Sequence, residues 1–180
     1  MAESRDPEAC AHAGLSLENG YLGGGEHLRV LNQAVGSLKD LGPFTSILLR
    51  PELEAGLAEI ARRLSAVIGR EERRLSEHMS RLDAERLKAL ATALEALKDI
   101  NWCLTAEVLG NVGKIRHLAG GSLTVEELSP AAAEILRNIN LVLNSLDRLE
   151  VRGRDSAGLS VIMLFDRAEF GRWEEDLRTA

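Results

Sequence analysis

The chain holds only two cysteines, Cys10 and Cys103, far apart in its 180 residues. By spacing, that pair builds neither a disulfide framework nor a zinc site, so a reducing, cytoplasmic setting is the default expectation. Aromatic residues are scarce at 3%, which argues against a sheet-rich fold because strands favour β-branched and aromatic side chains. No run approaches the roughly 18–20 apolar residues that a membrane-spanning helix needs. The opening Met1-Ala-Glu-Ser-Arg-Asp6 is charged and lacks the apolar core of a signal peptide. Positive charge is also in deficit: 22 Lys and Arg against 28 Asp and Glu leave a net charge of −6. Clustered cations are what nucleic acid and anionic membranes require, so neither is an expected partner.

Other chemistries are thin as well. His12, His27, His78 and His117 show no metal-ligand spacing, so no metal is expected. Gly23-Gly24-Gly25 lacks the preceding strand and following lysine of a phosphate loop, and no cofactor is expected. Cys103, in Asn101-Trp-Cys-Leu104, has no neighbour in sequence that would lower its pKa, and reads as an inert thiol.

What the chain does have is Leu, Ala, Ile and Val at helical spacing. Residues 1–25, with Pro7, Gly14, Gly20 and the glycine run, read as a flexible tail. A first helix is expected over 26–41, with Leu28, Leu31, Val35 and Leu38 on one face and Gly42-Pro43 as its stop. Pro51 suits a first helical turn, and Leu53, Leu57, Ile60, Leu64 and Val67 follow, with the stripe running on through Leu75, Met79 and Leu82. A further long helix over 83–117 carries Leu87, Leu90, Leu94, Leu97, Leu104, Val108 and Ile115 on a seam that wants a partner helix. Asn101 and Asn111 are expected within that seam, where buried asparagines fix register. Thr124 with Glu127 makes a capping box, and Ser129-Pro130 offers a second start. Ile135, Ile139, Val142, Leu146 and Leu149 then repeat at four, three, four and three. Arg70-Glu-Glu-Arg73-Arg74 reads as a solvated, self-paired face.

These spacings predict a mainly α fold: an antiparallel bundle of three to four long helices over 26–150. The period changes at Arg152-Gly153, and Leu159-Ser-Val-Ile-Met-Leu-Phe165 reads as a short buried strand, followed by a helix over 167–178. A lone strand cannot pair its own backbone, so residues 151–180 read as the start of a further domain.

The junction between helix and strand carries the one specific motif. Gly153 and Gly158 permit backbone angles that other residues resist, Asp155 and Ser156 can bond local amides across a sharp turn, and Arg152 offers a planar fork of donors. The run from Leu141 to Val161, centred on Leu149-Glu-Val-Arg-Gly-Arg-Asp-Ser-Ala-Gly158, resembles a segment of the class II glutamine amidotransferases, in particular the glutamine–fructose-6-phosphate aminotransferases. In that family a helix ends in Leu-Glu-x-Arg-Gly-Tyr-Asp-Ser-Ala-Gly and feeds a strand of an α/β/β/α glutaminase domain. The resemblance covers about two dozen residues. It implies a turn beside a glutamine pocket, with Arg152, Gly153, Asp155, Ser156 and Gly158 shaping the wall. It also implies glutamine and a sugar phosphate as substrates of the whole enzyme.

The departures are as specific. The family's N-terminal Cys-Gly-Ile nucleophile and its Arg-Trp-Ala-Thr-His-Gly segment are absent from these residues, no Asn-Gly pair of oxyanion donors follows the motif, and Arg154 stands where Tyr is usual. Without a nucleophile and oxyanion donors no thioester intermediate forms, so no catalytic residue is assigned and this chain alone is expected to be inactive. The other reading is a non-enzymatic helical module that binds a partner, or a second copy as a homo-oligomer, through its long seam.

Overall fold

In a computed structural model, the structure describes residues 20–120, 128–150, 160, 162, 164 and 167–179. The described residues are mainly helical. They form α1 (Gly25–Ser37), α2 (Leu41–Leu49), α3 (Pro51–His78), α4 (Ala84–Trp102), a π-helical segment (Cys103–Leu109), α5 (Gly110–Leu118), α6 (Pro130–Glu150) and α7 (Arg167–Thr179). Two compact units divide the chain, Met1–Val142 and Leu143–Ala180, with the division falling inside α6.

Local sequence explains most of the helix ends. Pro51 sits at the start of α3, where its missing amide hydrogen costs nothing. Asp83 caps α4, its carboxylate accepting from the Arg86 amide at 2.9 Å. Ser129 does the same for α6, accepting from the Ala132 amide at 3.2 Å, with Pro130 in the first turn. Gly120, at φ 91°, supplies the left-handed residue after α5. Ahead of α1, Leu22, Gly23 and Gly24 all take positive φ, a tight turn that needs the two glycines. That turn sets Tyr21 in a buried position.

The long helices pair in reverse order. Glu72 meets Lys98 at 2.9 Å, Ser65 meets Asn101 at 3.0 Å, and Glu54 pairs with Arg116. Partner numbers fall on one side as they rise on the other, so α3 runs antiparallel to the helix that begins at α4. Arg116 also donates to the Leu48 carbonyl at 3.3 Å, which satisfies an orphan group at the end of α2. The core gathers Leu28 and Val35 from α1, Phe44, Ile47 and Leu48 from α2, and Ala61 and Ile68 from α3. The buried line from Leu94 to Ile115, with Ala133 from α6, completes it. An antiparallel arrangement of α3 against the helix from α4 is therefore as expected.

Four expectations are corrected. Gly42-Pro43 does not follow the first helix but lies in the first turn of α2, and α1 ends earlier, at Ser37. Proline without an amide hydrogen suits a helix start as well as a stop. The stripe does not continue through Met79, because α3 ends at His78 and Met79 is exposed in a 3₁₀ turn. Ile100 and Val112 are buried in the seam positions where Asn101 and Asn111 were expected, and both asparagines sit half-buried at its flank. Finally, there is no strand among the described residues. Of the run expected to be one, Ser160, Ile162 and Leu164 are in no regular structure, with Ile162 87% and Leu164 94% exposed. A strand with no second strand beside it has nowhere to place its amides and carbonyls. The capping box at Thr124 and Glu127, most of the tail and the rest of the run lie outside the described residues.

Candidate functional site

The motif that carries the resemblance, Arg152, Gly153, Asp155, Ser156 and Gly158, lies outside the described residues. Helix α6 runs to Glu150, directly before it. The start of a glutaminase domain is thus not visible among the described residues.

Elsewhere the polar chemistry concentrates on the π segment, and its position is set by spacing. From Ile100 the buried side chains recur at Leu104, Val108 and Val112, four residues apart each time. In an α-helix a spacing of four drifts about 40° per step, so three steps would carry the line out of the core. Wider π turns cancel that drift. The Gly110 amide accordingly bonds the Thr105 carbonyl, five residues back. A Cβ at Gly110 would stand 3.3 Å from that carbonyl oxygen, so glycine is the residue that fits here without a shift. Carbonyls at the ends of the segment are taken up by side chains. Thr105 Oγ1 donates to the Asn101 carbonyl at 2.8 Å, and Asn111 Nδ2 donates to the Glu107 carbonyl at 2.6 Å.

On this segment Glu107 forms an ion pair with Lys39 at 2.7 Å and accepts from Cys103 Sγ at 3.6 Å. Burial pushes the Cys103 thiol up; Lys39 opposes this and the Glu107 contact adds to it. Lys39 is itself held above the usual lysine range, chiefly by its hydrogen bond to Glu107. A protonated thiol and a protonated amine are poor nucleophiles. The set can fix helices but is not tuned for covalent chemistry.

Asn140, buried on α6, donates to Asn111 Oδ1 at 2.8 Å. Arg137 donates to the Lys39 carbonyl at 2.8 Å and lies 5.7 Å from the centre of the Phe44 ring. Four parts of the chain (the α1–α2 connection, the π segment, α5 and α6) thus meet in one polar layer. Such a layer fixes register, because any slip leaves buried polar groups unpaired. Asn101 Oδ1 is a small blemish on this accounting: it is buried without a partner, although Nδ2 of the same amide donates to Ser65.

Two further features lie apart from this layer. Tyr21 lies near Glu71, a buried carboxylate flanked by Arg74 at 3.4 Å and Arg70 at 3.6 Å. Burial, reinforced by Glu71, pushes the Tyr21 hydroxyl up to about 12. A groove of about 730 Å³ runs between α1 and α4, floored by Leu28, Ala93, Ala96 and Ile100 and edged by Lys88 and Asp99. Its lining includes no cysteine, serine or histidine, and the Thr92 hydroxyl there donates to the Lys88 carbonyl at 2.9 Å.

Among the described residues no three His, Cys, Asp or Glu side chains gather as a metal-ligand set. His78 instead hydrogen-bonds the Arg74 carbonyl at 2.9 Å. Among those residues, too, no helix is long and apolar enough to cross a membrane. Sequence reasoning did not single out Lys39, Glu107 or Asn140. The run of four-residue spacings from Ile100 to Val112, together with mid-helix Gly110, is the signal that could have located the segment. No protein-family model, curated protein or solved structure matches this chain.

Proposed function

We propose that this chain is part of a glutamine-dependent amidotransferase of the glutamine–fructose-6-phosphate aminotransferase type. It would supply a helical bundle and the first turn of the glutaminase domain. The observation that carries the reading is the order Leu149-Glu150-Val151-Arg152-Gly153-Arg154-Asp155-Ser156-Ala157-Gly158. Residues 130–150, which precede the motif, are helical, as the residues before the family's turn are. In the whole enzyme a cysteine thiolate would release ammonia from glutamine for transfer to a sugar phosphate. The polar layer around Glu107 lacks the activated nucleophile and the oxyanion donors for that step, so the bundle holds helices together while chemistry resides elsewhere.

The test is genetic and then enzymatic. A reading frame continuing beyond Ala180 is expected to encode an Arg-Trp-x-Thr-His-Gly segment and an Asn-Gly pair. Its product should hydrolyse glutamine, whereas the 180-residue chain should not. Arg152→Ala in that product should lower kcat/KM by about 10–100-fold if the arginine shapes the pocket wall. A stop codon directly after Ala180 would sink the reading.

A further inference from the structure

The groove between α1 and α4 lies where α4 turns its smallest side chains outward. Glu85, Ala89, Thr92, Ala96 and Asp99 line it at gaps of four, three, four and three. That period of about 3.5 residues is the spacing at which one helix receives the side chains of another. The middle of this seam is built of small residues, so the large aliphatic side chains of an incoming helix have hollows to enter. Gly25, on the α1 side, widens the opening, since a Cβ there would meet nothing within 4 Å. The long seam expected to bind a partner is spent elsewhere, because Leu90, Leu94, Leu97, Leu104, Val108 and Ile115 are buried within the chain.

The charges on α4 select the incoming helix. Those facing away from the groove are neutralised within the chain: Arg86 meets Asp83 at 3.3 Å, and Lys98 meets Glu72 at 2.9 Å and Glu95 at 2.7 Å. The three that line the groove, Glu85, Lys88 and Asp99, join no ion pair among the described residues. Glu85 and Asp99 stand 14 residues apart (99 − 85), about 21 Å along the axis at 1.5 Å per residue. Lys88 lies one turn inside the Glu85 end. The complement is a base at each end of a four-turn apolar face, with an acid one turn in from one of them. The same seam on a second copy would bring acid against acid at both ends, which disfavours self-pairing here.

We propose that the groove between α1 and α4 receives an amphipathic helix of a different protein, with large aliphatic residues over Ala89, Thr92 and Ala96, bases facing Glu85 and Asp99, and an acid facing Lys88. This stands apart from the amidotransferase reading and survives its failure, since it draws on no residue of the Arg152 motif. A contact of four turns is small and gives a dissociation constant on the order of 10–100 µM.

Two synthetic helices of about 15 residues test it. Both carry leucines at the seam spacing; one has the charges just described, and the other has every one of those signs reversed. Fluorescence anisotropy against the full 180-residue chain should show the first binding at least about tenfold more tightly at low salt, with the difference shrinking at high salt. Glu85→Lys/Asp99→Lys should invert the preference while keeping the helical circular dichroism, because both side chains are exposed. Thr92→Trp, at another exposed position, covers the seam without entering the core and should weaken both helices; it decides the matter if the charge variant fails to fold. Equal binding of the two helices, or none at about 300 µM, well above the constant expected for so small a contact, overturns the proposal. So does a preference that survives the charge variant, or binding unchanged by Thr92→Trp. Binding that appears only after residues 1–19 are deleted would make the chain's own start the occupant and overturns it equally.

Discussion

Tyr21 is the one tyrosine in the chain, which makes a buried hydroxyl directly readable. Its folded-state value is near 12 against an ordinary 10. Between those pH values the unfolded chain has released its proton and the folded chain has kept it. The associated stability is therefore complete below pH 10 and is lost as pH rises towards 12. Tyrosinate absorbance should titrate near 12 in the native protein and near 10 in urea. Tyr21→Phe should abolish that part of the alkaline loss in melting temperature, and a native titration near 10 would refute the burial argument. The residue scale also shows the limit of sequence. An inert Cys103 was readable from the lack of nearby cations, yet its actual neighbour Lys39 lies 64 positions away by number (103 − 39) and only folding brings them together.

Among the elements, the helix from Ala84 to Leu118 is the informative one, because it holds one residue more than a regular α-helix would need between Trp102 and Gly110. Removing exposed Ala106 should convert the π segment to ordinary α turns without rotating the flanking faces. The expected result is a folded protein weakened by about 1–3 kcal/mol, the typical cost of losing hydrogen bonds from a layer such as that of Glu107. Deleting exposed Glu95 from α4 should instead turn Leu90 and Leu94 by about 100° against Ile100 and unfold the chain. Urea titration of both deletions separates these outcomes, and equal damage from the two would refute the idea. Element starts were legible at Pro51 and at Ser129-Pro130, where a proline or a cap marks them. Gly42-Pro43 misled because its two residues suit either end of a helix, and only the packing of Phe44, Ile47 and Leu48 selects the start.

For the whole molecule, helical character was legible because periodicity of apolar residues survives without knowledge of partners. The polar layer was not, since Lys39, Glu107, Asn111 and Asn140 belong to segments that no local pattern relates. Nor was the choice of face on α6: periodicity locates the stripe of Ile135 and Val142 but not the bundle's preference for Asn140 and Arg137. The motif at Arg152 was legible only as sequence, and its residues lie outside the described structure. The reversed pairing of α3 with the helix from α4 carries a further consequence, in time rather than in space. Glu72–Lys98 closes a loop of 26 residues (98 − 72), Ser65–Asn101 one of 36, and Glu54–Arg116 one of 62. Closure costs more chain entropy as the loop lengthens, so the hairpin should zip from the turn at Met79–Arg81 outward and fasten its far end last. Leu94→Ala should then mainly slow refolding, while Ile115→Ala, at the far end, should mainly hasten unfolding, each costing about 2–5 kcal/mol at equilibrium. In a stopped-flow chevron, the reverse assignment would place the nucleus at Arg116 instead, and the last clasp to close would become the first.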